Sequence, residues 1–258
     1  MVGVGNLLRI YDIGKKKLLR KCESKLFPTN IVKLETQGDR ILVTDAQESI
    51  LYVQYRHYDN LLIIFADDFV PRWTTASTML DYDTVAGGDR FGNIFVNRLP
   101  ADISKEMDED STGSTALFER GFLNAAPHKI NHLCEYHLGE TITSINKASI
   151  VSGGRQVLVY TSFMGRIGIL IPFPTKDDFT FFQMFEMIMR QETPSLCGRD
   201  HLSFRGYYVP VRNIVDGDLC EQFNLLANET KRNIASQLDR NTSEVAKKLE
   251  DIRTRVAF

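Results

Sequence analysis

No paired Cys-x-x-Cys spacing occurs in the sequence; the four cysteines, Cys22, Cys134, Cys197 and Cys220, stand far apart. That disfavours a disulfide framework and points to reduced thiols in an intracellular protein. An excess of positive charge is missing too. The 31 Lys and Arg are balanced by 33 Asp and Glu, for a formal net charge of −2. Without a basic field to displace counterions, a dedicated DNA or RNA binder is disfavoured. Long hydrophobic runs are absent as well: the longest, Ile167 to Phe173, is far too short to cross a bilayer. Met1 runs directly into strand-like Val2-Gly3-Val4-Gly5, with no basic, apolar or cleavage region of a leader. The expectation is a soluble protein that is not secreted. The glycosylation patterns at Asn228-Glu-Thr230 and Asn241-Thr-Ser243 then carry no meaning.

What is present is an internal repeat. Four segments share one grammar: an apolar strand, a short turn rich in Asp, Gly or Ser, and a second apolar strand. They are Val2–Ile13, Ile41–Tyr55, Thr84–Arg98 and Val157–Ile171, with β-branched and aromatic residues at every second position. The turn residues Asp45 and Asp89 are 44 residues apart, the length of one four-stranded propeller blade. The longer step to the matching Ser162 is accounted for by Pro100–Arg120, whose acidic tract (Glu106, Asp108, Glu109, Asp110) reads as a solvated loop. Further strands are predicted at Lys17–Cys22, Leu61–Phe65, Trp73–Leu80, His132–His137 and Thr141–Asn146. The sum is about four blades of a WD40-like propeller, and a first strand at residue 2 suggests a ring cut open.

Strand alternation stops at Pro172–Pro174, which divides the chain into blades over 1–174 and a small helical domain over 175–258. A helix is predicted over Lys176–Glu192, opened by Asp177 and Asp178, with Phe179, Phe182, Phe185, Glu186 and Met189 at helical spacing. Asp216–Leu226 opens on Asp-Gly-Asp, acidic residues suited to a helix N-terminus. The last helix has Asn241 and Glu244 in a capping-box arrangement and a stripe of Val245, Leu249, Ile252 and Val256.

Strand geometry and missing partners argue against each candidate chemistry. His128, His132, Cys134 and His137 resemble metal ligands, but on a strand residues 132, 134 and 136 share one face and His137 points away, so no tetrahedral set converges. Asp67, Asp68, Asp81 and Asp83 read as blade-corner aspartates rather than a paired acid and base. Cys197 and His201 lack a third orienting group, and the glycine pairs lack a phosphate cradle's strand–turn–helix context. Lys15–Lys21 reads as a solvated blade edge whose lysines block strand pairing. No catalytic, cofactor or metal site is expected.

Several stretches resemble the A-subunit family of the cleavage and polyadenylation specificity factor. They include Leu7-Leu-Arg-Ile-Tyr-Asp12, Ile63-Ile-Phe-Ala-Asp-Asp68 with Pro71-Arg-Trp73, Leu196-Cys-Gly-Arg-Asp-His-Leu-Ser-Phe-Arg205, Asp216-Gly-Asp-Leu219 and Lys247-Lys-Leu-Glu-Asp-Ile-Arg253. The Cys-Gly-Arg-Asp-His and Lys-Lys-Leu-Glu-Asp-Ile-Arg stretches look like the family's splicing branch. Departures are Val256 in place of an aromatic, Asn241-Thr-Ser in place of Thr-Pro-Pro, and divergence in the acidic loop and Asn228–Asp239. The resemblance implies seven-bladed propellers and a helical end, the later blades of one propeller falling in this chain. It further implies a nuclear, non-catalytic scaffold of the splicing factor 3b complex in the U2 small nuclear ribonucleoprotein, serving branch-site recognition. Its partners would be the helical-repeat largest subunit and a small subunit, with pre-mRNA and U2 RNA reached mainly through the complex. The competing readings are a scaffold in mRNA 3′-end processing or in a cullin ubiquitin ligase and DNA-repair complex, and a direct nucleic-acid-binding module. For an interaction surface, Arg199, His201, Phe204, Arg205, Tyr207 and Tyr208 come closest to the required mixture of cations and aromatics.

Overall fold

The computed structural model describes residues 1–109, 126–195 and 198–255. Four sheets occupy the first two-thirds, so the chain is mainly β, and none of the sheets closes into a barrel. The first contains β1 (Val2–Val4), β2 (Leu7–Ile13) and β3 (Leu18–Ser24). The second is an antiparallel meander of β4 (Ile31–Gln37), β5 (Arg40–Asp45), β6 (Ile50–Arg56) and β7 (Leu61–Asp67). The third joins β8 (Thr74–Met79), β9 (Thr84–Asp89) and β10 (Asn93–Arg98). After helix α1 (Ala101–Glu109), the short β11 (His128–Lys129) pairs in parallel with β7, and β12 (Asn131–His137) completes the third sheet beside β10. The fourth sheet is β13 (Ile142–Ser149), β14 (Gln156–Ser162) and β15 (Ile167–Leu170).

Each of the four expected hairpins is an antiparallel pair, and three of them form the second and third strands of their sheets. The two aspartates that stand 44 residues apart make equivalent turn contacts. Asp45 Oδ1 accepts from the Gln47 and Glu48 N–H groups at 3.0 and 3.1 Å, and Asp89 Oδ1 accepts from Phe91 and Asn93, both at 2.9 Å. Ser162 does the same work at the third turn, its hydroxyl accepting from Arg166 N–H at 3.1 Å. An acceptor at the first turn position satisfies amides that the ladder leaves unpaired.

Strand alternation then builds a core between every adjacent pair of sheets. On β5 and β6, Ile41, Val43, Leu51 and Val53 face Leu8 of the first sheet. Their neighbours Leu42, Ile50 and Tyr52 face Val85 and Phe95 of the third. Ala86 and Ile94, on the other side of that third sheet, meet Ile142, Ile145, Leu158 and Tyr160 of the fourth. Strands β5 and β9 are buried along their whole length because both faces are covered. Each fully buried Leu, Ile or Phe contributes about 1.5–3 kcal/mol. Gly88 permits close approach: a Cβ there would lie 2.7 Å from Ile142 Cδ1.

The acidic segment departs from expectation. Rather than a solvated loop from Pro100, residues Ala101–Glu109 form α1, while Asp110 and the rest of the expected loop lie outside the described residues. Ile103 and Met107, four apart, pack on the core between the second and third sheets. A fully buried Arg40 fixes the helix: its guanidinium donates to Ser104 Oγ and to Asp108 Oδ1, both at 3.0 Å, and lies 3.8 Å over the Tyr82 ring. Asp108 of the acidic tract therefore answers an internal cation.

Beyond the sheets come α2 (Lys176–Glu192), α3 (His201–Arg205), α4 (Gly217–Glu221) with a 3-10 turn at Gln222–Leu225, α5 (Asn228–Gln237) and α6 (Thr242–Thr254). Thr175 caps α2, accepting from Asp178 N–H at 3.1 Å. Glu244 closes the α6 box by accepting from Asn241 N–H at 3.3 Å. Phe182, Phe185 and Met189 of α2 share one core with Leu219, Phe223, Ile234, Val245 and Leu249, and Ile252 packs on its margin. Val256, expected to continue that stripe, lies outside the described residues. Among the described residues no helix is long and apolar enough to cross a membrane.

Candidate interaction surface

Asp216 organises the junction between the third sheet and the helices. As N-cap of α4 it accepts from the Asp218 and Leu219 N–H groups at 3.1 and 3.3 Å. Its other oxygen receives Arg205 through Nε at 3.0 Å and Nη2 at 2.9 Å, and His201 Nε2 lies 3.0 Å away. Burial pushes this carboxyl up, yet His201, Arg205 and Tyr136 together hold it well below the usual carboxylate range. Arg205 also donates to the His137 carbonyl at 3.3 Å and stacks 4.9 Å over Tyr136. Phe204 lies against His137 and above Gly139, where a Cβ would come within 2.7 Å of its ring. Gly139 also has φ +88°, so glycine is required there twice over. The chain then follows the edge of β12: Glu135 and Arg212 exchange backbone hydrogen bonds at 3.1 and 3.0 Å, and Asn213 Nδ2 donates to Leu133 O at 2.8 Å.

Of the six residues picked from sequence, three thus serve the interior. His201, Phe204 and Arg205 tie the helices to the sheet, while Arg199, Tyr207 and Tyr208 are exposed. Tyr207 and Tyr208 stand beside residues that sequence reasoning missed, namely Trp73, Arg90 and Phe91. Only folding joins them, since the Trp73–Arg90 segment and the Tyr207–Tyr208 segment belong to different parts of the chain.

A second polar cluster lies below this surface. Asp68, with no side-chain exposure, receives Ser49 Oγ at 2.7 Å, Asn97 Nδ2 at 2.9 Å, Val70 N–H at 3.0 Å and Arg72 Nε at 3.3 Å. His132 Nε2 lies 2.6 Å from Asp68, its Nδ1 lies 3.2 Å from Glu135, and Arg72 also pairs with Glu135.

The sequence of residues 1–225 matches the family described as the CPSF A subunit region. The chain belongs to that family. This family member is 56% identical over 258 residues to splicing factor 3B subunit 3 of Danio rerio, covering 100% of this chain and 21% of the relative. It is 55% identical over 252 residues to the probable splicing factor 3B subunit 3 of Dictyostelium discoideum, covering 98% and 20%. Over 256 residues it is 51% identical to spliceosome-associated protein 130 A of Arabidopsis thaliana, covering 99% and 21%. The chain therefore spans about a fifth of the length of the curated relatives it matches.

In this chain the four suspected metal ligands have separate environments. His132 joins the Asp68 cluster, His137 Nδ1 meets Asn93 Oδ1 at 2.9 Å, and Cys134 Sγ donates to Asn213 O at 3.7 Å, while His128 lies in β11. The expected face assignment needs correction. The ladder slips between Val96 and Asn97, leaving Leu133 unpaired in β12, so His132 shares a face with Glu135 rather than with Cys134 and Tyr136. Among the described residues no group of three or more His, Cys, Asp or Glu could hold a metal ion. Cys197 lies outside the described residues.

The cluster makes stability pH-dependent. Burial lowers the His132 pKa, but hydrogen bonds to Asp68 and Glu135 outweigh it and raise the value from 6.5 to about 9. A pKa raised by folding stabilises the protein fully below pH 6.5, and that contribution is lost as pH rises through about 9. Burial pushes Asp68 and Glu135 up, and their His132 and Arg72 partners bring both below the ordinary range, so their contribution disappears only in acid. Urea titrations of residues 1–258, followed by the fluorescence of Trp73 at a dilution where the chain is monomeric, should show the midpoint falling between pH 6.5 and about 9. His132→Gln should lower stability at pH 6.5 and flatten that fall; an unchanged slope would contradict the assignment.

Proposed function

We propose that this chain is a non-catalytic protein–protein scaffold in pre-mRNA splicing, acting within the splicing factor 3b complex of the U2 small nuclear ribonucleoprotein in the nucleus. The observation that carries the reading is end-to-end similarity, 56% identity over 258 residues, to a protein named splicing factor 3B subunit 3. The internal chemistry supports it. The buried acids and bases that might have served a reaction, Asp68, His132, Glu135 and Asp216, are engaged in ion pairs within the fold. Stacked antiparallel sheets with exposed turns favour many shallow contacts over one enclosed reaction site.

In this reading the four sheets are consecutive blades of a WD40-like propeller, about four of seven, over residues 1–174. Residues 175–258 are a helical C-terminal domain. The helical-repeat largest subunit and a small subunit are its neighbours, and pre-mRNA and U2 RNA are reached mainly through them, at the branch site.

The near-neutral charge sets a direct test. The full-length protein alone, titrated with single-stranded poly-U across a salt series, should show no tight binding that falls steeply with salt. Binding whose logarithm falls with log[salt] at a slope of about −3 or steeper would mean several neutralised phosphates and would favour a direct RNA binder.

A further inference from the structure

Four exposed aromatic rings run in series from the β7–β8 connection (Trp73) through the β9–β10 turn (Phe91) to the chain after α3. Trp73 and Phe91 have centroids 6.5 Å apart, Phe91 and Tyr208 5.6 Å, and Tyr208 and Tyr207 5.0 Å. They are 43% to 64% exposed, and Trp73 is the single tryptophan of the chain. Arg90 lies over this row, its guanidinium 4.8 Å from the Trp73 ring and 5.9 Å from Phe91. The row is held in place. Arg90 N–H donates to Trp73 O at 3.0 Å, Thr141 Oγ1 donates to Arg90 O at 2.7 Å, and Phe91 N–H is fixed on Asp89 at 2.9 Å. Beneath it His137 packs against Tyr207 and Tyr208 at 5.8 and 5.3 Å. Burial lowers the His137 pKa, so this ring is a neutral support.

Charge decides what fits. Two neighbouring arginines are occupied: Arg72 pairs with Asp68 and Glu135, and Arg205 with Asp216. Among the described residues no carboxylate lies within ion-pair distance of Arg90. One free guanidinium neutralises about one phosphate, too little to hold RNA against salt. A rigid row of Trp, Tyr, Phe and Arg instead has the composition that dominates protein interfaces, where large rings bury area at little entropic cost.

We propose that Trp73, Arg90, Phe91, Tyr207 and Tyr208 form a docking site for an acidic, aromatic-bearing protein segment. A carboxylate of the partner meets Arg90, and its rings pack edge-to-face along the row. This rests on the scaffold reading and names a surface through which it would act.

The probes are a glutamate–tyrosine copolymer and a lysine–tyrosine copolymer, titrated against the full-length protein by fluorescence anisotropy. The glutamate copolymer should bind and the lysine copolymer should not. Trp73→Ala and Tyr208→Ala should each weaken binding about tenfold. Arg90→Glu should reverse the preference between the copolymers, a result that misfolding does not mimic. Tyr58→Ala, a fully exposed ring in the β6–β7 turn, should change nothing. The proposal is overturned if neither copolymer binds, if binding ignores these substitutions, or if the same substitutions abolish poly-U binding instead. Co-purification with splicing subunits is independent of all these outcomes, so failure of this site is separable from failure of the scaffold reading.

Discussion

Residues 1–258 expressed alone are expected to self-associate. The second and third sheets are covered on both faces, whereas among the described residues the first and fourth each have one face with no sheet packed on it. The first exposes Val2, Val4, Ile13, Leu18 and Leu19; the fourth exposes Ile167 and Ile169, with Phe163 and Met164 in its turn. Ile13 is 87% exposed and Ile167 73%, unusual for β-branched residues in strands. Apolar patches beyond a few hundred Å² are rare on soluble monomers. The edge of β15 is also open, while β6 and β10, the corresponding strands of the middle sheets, each have a further partner. An open edge of alternating apolar residues templates pairing with other chains. Size-exclusion chromatography with light scattering should show oligomers or aggregates, and Ile13→Lys with Ile167→Lys should shift material toward monomer. Co-expression with the other four-fifths of a relative such as splicing factor 3B subunit 3 of Danio rerio should suppress association. A monodisperse wild-type monomer with one sharp thermal transition would contradict the expectation.

A comparably large effect is expected at Asp68. Removing its carboxylate by Asp68→Ala leaves Arg72 and His132 buried with half their partners, and Ser49 and Asn97 without their acceptor. Breaking one member of a buried ion-pair network costs about 3–5 kcal/mol because the surviving charge is uncompensated. That is a large fraction of a domain's whole stability, which is about 5–15 kcal/mol. The adjacent Asp67 is the milder case: it pairs with the exposed Lys129 and accepts from Ala126 N–H at 3.3 Å, and Asp67→Ala should cost about 1–2 kcal/mol. Urea midpoints of the two variants would separate these cases. Equal losses would show that the Asp68 network contributes no more than the single Asp67 pair.

The contrast between neighbouring aspartates also shows how far sequence reading reaches. The hairpins were legible because alternation and turn acceptors are local signals, and Asp45 and Asp89 cap their turns as their spacing implied. Helix α2 was legible for the same reason, from its apolar period and the acidic Asp177 and Asp178 of its first turn, although the cap itself is Thr175. Three features were hidden. The bulge at Leu133 depends on pairing with β10 and reverses which side chains share a face. Helix α1 was masked by acidic composition, since its anchor Arg40 lies 68 residues from Asp108. Helix α5 begins at Ala227 without a side-chain cap, so nothing local marked its start. At the candidate surface, the aromatic and basic composition around Tyr207 and Tyr208 was a usable signal. It could not reveal that Arg205 is spent on Asp216, or that Trp73, Arg90 and Phe91 complete the row.

The central claim, a scaffold of the splicing machinery, is tested most directly by affinity purification of the tagged full-length protein from nuclear extract, with and without ribonuclease, read by mass spectrometry. The expected result is stoichiometric recovery of other splicing factor 3b subunits that survives ribonuclease, together with U2 RNA that is lost on digestion. Recovery of polyadenylation or cullin-ligase subunits in their place, or loss of every protein partner on ribonuclease treatment, would contradict it.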